Sequence, residues 1–79
     1  MPNLEILRRR IARVANQVIP GCQVVFDGTP FAWVRFRIED GSGKTIVERS
    51  PDYHASEIAE WSDQELRDTL RALLSAKTR

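Results

Sequence analysis

The run from Phe31 to Glu39 places Ala32, Val34, Phe36 and Ile38 on one side of an extended chain and Phe31, Trp33, Arg35 and Arg37 on the other. Successive side chains of a strand point to opposite faces, so strict alternation of this kind marks a strand with one covered and one solvated side. A strand with a single apolar face belongs to an antiparallel sheet that something else must cover. A tryptophan, Trp33, lies on the side that should be wet.

The covering elements are legible on both flanks. From Asn3, apolar residues recur at Leu4, Leu7, Ile11, Val14, Ala15 and Val18, one stripe of a helix that Asn3 caps and Pro20-Gly21 ends. On its far side Ile6, Arg9, Arg10 and Arg13 share one exposed patch. At the other end Ser62 and Glu65 form a capping box with Trp61 and Leu66 at the staple positions, and Leu66, Leu70, Leu73 and Leu74 make the buried stripe. Asp63 and Glu65 in the first turn and Lys77 at the end suit the helix dipole.

Between the helices, Gln23 to Asp27 reads as a short strand, and Asp27-Gly28-Thr29-Pro30 as a turn. That turn leaves open whether Val24 and Phe26 or Val25 face inward. Asp40-Gly41-Ser42-Gly43 is a hairpin turn leading to a third strand, Lys44 to Arg49. Closing Glu39 on Lys44 sets Arg35 against Glu48 and Phe36 against Val47, a register in which charge and apolar pairs agree. Ser50 to Trp61 then forms a long connector whose Ser50-Pro51-Asp52 start suits a short helical turn. Its Tyr53, Ile58 and Trp61 are apolar enough to strap across the Trp33 side of the sheet.

These elements predict an α+β two-layer sandwich in the order α-β-β-β-α, a three-stranded antiparallel sheet with both helices on one face, over residues 1–79 as one small domain. At 79 residues, folding buries about 60 to 65% of the surface that the unfolded chain exposes, so the core is small. The element order resembles that of the double-stranded RNA-binding domain, and the resemblance is one of order. Where that family grips phosphate with a basic cluster at the start of its second helix, this chain carries Asp63, Gln64 and Glu65. The family's loop histidine has no counterpart in Asp27-Gly28-Thr29-Pro30. The chain is not assigned to that family.

Reaction chemistry finds little footing. Gly43-Lys44-Thr45 lacks the earlier glycine of a phosphate-binding loop, Ile38 standing there, and joins two strands instead of a strand to a helix. His54 is the only histidine and Cys22 the only cysteine, so together they offer two of the three or four ligands zinc requires. Asp52, Glu57, Glu60 and Asp63 cluster in sequence, but among polar residues near a helix start they have no burial to split their pKa values. The expectation is therefore no catalytic residue, no metal site and no cofactor.

Binding is the better expectation. Phe31, Trp33, Arg35 and Arg37 form one candidate surface, and Ile6, Arg9, Arg10 and Arg13 a second. Exposed apolar area of this kind fits a protein partner or a homodimer. The alternative is weak nucleic-acid binding, with aromatics stacking on bases and arginines holding phosphates. A net charge of +1 argues against a strongly basic nucleic-acid surface. Residues 1–20 hold four Arg against one Glu, whereas residues 51–79 hold six acids against four basic residues. Such an asymmetry either decorates solvated helix faces or draws the two ends together. A single cysteine and no apolar run of membrane-spanning length lead to a cytoplasmic expectation, with no membrane partner.

Overall fold

The computed structural model describes residues 3–27 and 32–77. Helix α1 spans Leu4–Val18, and the Asn3 side chain caps it by accepting from the backbone N–H groups of Glu5 and Ile6 at 3.0 and 3.3 Å. Its exit is held by Asn16, whose amide donates to the Cys22 carbonyl and whose oxygen accepts from Gly21 N–H. Gly21 turns the chain at φ +81°, a conformation that costs glycine nothing. Strands β1 (Gln23–Phe26), β3 (Phe36–Glu39) and β4 (Thr45–Val47) form an antiparallel sheet in the order β1-β3-β4. Strands β2 (Trp33–Val34) and β5 (Tyr53–His54) form a separate two-stranded ribbon, followed by α2 (Ala55–Glu60) and α3 (Asp63–Lys77).

The architecture is α+β, with helices packed against a three-stranded antiparallel sheet. Leu7, Ile11 and Val14 of α1, Ile58 of α2, and Leu66 and Leu70 of α3 meet Val34, Phe36, Ile38 and Val47 in one buried cluster. Within residues 32–38, Val34, Phe36 and Ile38 are buried and Trp33 and Arg37 exposed, as the alternation requires, whereas Ala32 and Arg35 are half-buried. Val24 and Phe26 stand opposite Ile38 and Phe36, which turns them inward and leaves Val25 opposite Arg37 on the outer face. Phe26 and Phe36 meet edge-on at 6.0 Å. The capping box at α3 is formed, Glu65 N–H donating to Ser62 Oγ and Ser62 N–H to the Glu65 carboxylate.

Four expectations need correction. The 31–39 strand is interrupted at Arg35, and its register with the following arm is not the one that closes Glu39 on Lys44. Glu39 instead stands opposite Thr45, Ile38 opposite Val47, and Val34 opposite Tyr53. Ser50 N–H donates to the Phe36 carbonyl at 2.8 Å, and Phe36 N–H donates to Ser50 Oγ at 2.9 Å. The inward positions of the second arm are thus Val47, Ser50 and Tyr53, spaced three apart where a regular strand has two. Each bulge adds a residue to one side of the ladder. Pro51, with no N–H to donate, falls within the irregular stretch.

The Ser50-Pro51-Asp52 start forms no helical turn either; the connector pairs as β5 and turns helical only at Ala55. Nor do Tyr53, Ile58 and Trp61 strap over Trp33, which the connector meets through His54. Tyr53 stacks on Phe36 with ring centroids 6.3 Å apart, Trp61 meets Tyr53 edge-on at 5.4 Å, and Ile58 is buried. Its apolar residues close the inner layer because the register turns Tyr53 to the face of Val34. The DGSG turn is built as expected. Asp40 Oδ1 accepts from Ser42 N–H, Ser42 Oγ–H and Lys44 N–H, and Gly43 takes φ +88°. These three bonds, the Ser42 hydroxyl foremost, hold the Asp40 carboxyl below its ordinary pKa.

Candidate interaction surfaces

Trp33 on the β2–β5 ribbon, Arg35 between β2 and β3, and Arg37 on β3 alternate with the buried residues and share the outer side; Phe31 lies outside the described residues. Trp33 is opposite His54 in the β2–β5 ladder, and the two rings meet edge-to-face at 5.2 Å. The imidazole is itself fixed: His54 caps α2, its Nδ1 accepting from Ser56 N–H at 3.2 Å and lying 2.7 Å from Ser56 Oγ. An aromatic ring anchored by backbone pairing and by a capped helix start still leaves Trp33 44% exposed. An apolar side chain exposed singly is common on protein surfaces; what sets this one apart is its fixed place beside His54.

The neighbouring arginines are committed to carboxylates. Arg35 Nε donates to Asp27 at 2.9 Å and its second nitrogen lies 3.6 Å from Asp52, with the side chain three-quarters buried. Arg37 Nε bonds Glu39 at 3.3 Å on the same strand. Among the described residues, Arg35 and Arg37 thus put both signs on this face in close pairs.

The second candidate cluster lies on the exposed side of α1, where Ile6, Arg9, Arg10 and Arg13 line an open groove of about 290 Å³. Ile6 is 61% exposed. Arg9 pairs with Glu5 one helical turn away at 2.8 Å, both side chains largely in solvent. Arg13 reaches Asp63 at 3.5 Å. Arg10 behaves differently. Its Nε donates to Asp63 at 2.9 Å, and its remaining nitrogens donate to the carbonyls of Ile58 and Trp61, with the side chain only 19% exposed. It binds the Trp61 carbonyl just past α2 and shares the Ile58 carbonyl with Trp61 N–H, and so ties α1 to the end of α2 and the start of α3.

The hydrogen bond from Arg10, with the charges of Arg10, Arg13 and Arg67, holds Asp63 below the ordinary carboxylate pKa. The basic first helix and the acidic helix start thus attract, as their charge asymmetry allows. The sequence did not single out this clasp, because residues 10 and 63 share no local pattern. Ser50 was missed for the same reason. Among the described residues, no group of three or more His, Cys, Asp or Glu could hold a metal ion, and no helix is long and apolar enough to cross a membrane. Comparison of the chain with protein-family models, with curated proteins and with solved structures yields no match.

Proposed function

We propose that this protein is a non-catalytic interaction module whose outer sheet face, centred on Trp33, docks against another protein surface, a partner or a second copy. The observation that carries the reading is an indole 44% exposed and yet fixed in place by the β2–β5 ladder and the His54 ring. A rigid aromatic anchor contributes contact area with little loss of side-chain freedom on binding, which is why tryptophan is enriched among the residues that dominate interfaces. The surrounding charge supports a protein surface over nucleic acid. A phosphate backbone would have to displace Asp27, Asp52 and Glu39 from Arg35 and Arg37, whereas a mixed face can meet another mixed face without that exchange.

The test uses Trp61→Phe protein, in which Trp33 is the only indole. The isolated monomer should show a quencher-accessible emission, and docking should shift it to the blue and protect it. Crosslinks from a photoreactive residue at position 37 should identify the docked surface and disappear in Trp33→Ala. Crosslinks unchanged by that substitution would remove the proposal, and so would a salt-sensitive gel shift in which Arg35 and Arg37 carry binding to single-stranded nucleic acid.

A further inference from the structure

The exposed side of the helical layer has its own charge pattern, independent of the Trp33 face. On α1, Ile6, Arg9 and Arg13 border the 290 Å³ groove. Beside it, at the α2 end that Arg10 binds through the Ile58 and Trp61 carbonyls, stands a short helix whose Glu57, Ala59 and Glu60 are all exposed. Among the described residues neither Glu57 nor Glu60 is in an ion pair. A basic groove and an unneutralised acidic face are therefore held side by side by one half-buried arginine.

Adjacent patches of opposite sign suit an isologous contact, in which a two-fold axis sets each patch of one copy on the other patch of its mate. The existing partners of the groove do not prevent it. Arg9–Glu5 has side chains 78% and 71% exposed, and Arg13 is 62% exposed at a long 3.5 Å, so both pairs contribute little and exchange readily. Arg9 and Arg13 are separated by about 6 Å along the axis of α1 and Glu57 and Glu60 by about 4.5 Å along α2, spans that let two guanidinium groups meet two carboxylates.

We propose that two copies of this chain associate through their helical layers, Glu57 and Glu60 of each α2 entering the Ile6, Arg9, Arg13 groove of the other copy. The contact uses none of the Trp33, Arg35 and Arg37 side chains, so the two proposals fail or stand separately.

Sedimentation equilibrium over a wide concentration range, at low and high salt, tests it. Wild-type protein should dimerise and the dimer should weaken as salt rises. Arg9→Glu with Arg13→Glu in one chain, and Glu57→Arg with Glu60→Arg in another, should each weaken self-association on the order of a hundredfold through like-charge contact. Mixing those two variants should restore a heterodimer, because every contact is then of opposite sign. All four positions are exposed, and circular dichroism confirms that each variant folds. A wild-type chain that stays monomeric at the highest concentration in low salt would overturn the proposal. A dimer indifferent to both reversals, or one lost in Trp33→Ala, would overturn it too.

Discussion

Two chain segments flank β3, and they obey different rules. On one side β1 pairs residue for residue, from Gln23 opposite Glu39 to Phe26 opposite Phe36, with no slip. On the other, the arm from Thr45 to His54 follows β3 and β2 only by gaining residues at irregular points, so that Val47, Ser50 and Tyr53 face inward. The regular side leaves the ladder to backbone bonds alone. The irregular side needs the Ser50 hydroxyl to accept the Phe36 N–H, and gains from it a place for Tyr53 in the core and for His54 beside Trp33. A strand that keeps its register only covers a neighbour, whereas one that slips can carry a helix start and an exposed aromatic to a chosen place.

Phe36 touches both sides, meeting Phe26 edge-on and stacking on Tyr53. Phe36→Ala should therefore cost about 3–5 kcal/mol in denaturant unfolding and erase the contrast by loosening both flanks. Ser50→Ala separates them. It leaves a buried N–H without its acceptor, at about 1–3 kcal/mol, and hydrogen exchange should show the Phe36 amide losing protection while the β1 amides keep theirs. Equal loss on both sides would mean that the two arms fold as one unit.

The regular side offers the control: Val25→Thr, on the outer face opposite Arg37, should change stability by no more than about 0.5 kcal/mol. The smallest effect belongs to the clasp outside the sheet. Asp63 has a folded-state pKa below its unfolded value, so its contribution is complete above about pH 3.9, the ordinary carboxylate value, and is lost as pH falls through the depressed folded value. Asp63→Asn should accordingly lower stability at neutral pH and make no difference once the wild-type carboxyl is protonated. Paired unfolding curves at the two pH values check this.

Legibility in the sequence followed the range of the interactions. The caps at Asn3 and Ser62, the DGSG turn and the alternation of residues 32–38 all rest on contacts within about four positions, and each is found in the structure. The register beyond Thr45 was misread because charge pairing favoured a regular ladder. The buried serine that interrupts it has no local signature. Among the candidate site residues, the exposure of Ile6 followed from periodicity, which also put Trp33 on the outer side without deciding whether residues 50–61 cover it. The commitment of Arg10 to the Ile58 and Trp61 carbonyls, and of Arg35 to Asp27 and Asp52, could not be read that way, since those partners are distant in the chain or across a turn.

By itself, the order of amino acids determined the α+β class, the two long helices with their caps, and which face of the central strand is buried. Those follow from periodicity and from hydrogen bonds that close over a turn or two. Only tertiary structure decided where the 50–61 segment goes, which arginines are already paired, and that Trp33 remains open beside His54. Each of these depends on which distant segments meet once the core closes, and burial in a common core is a property of the assembled layers that no local window of sequence contains.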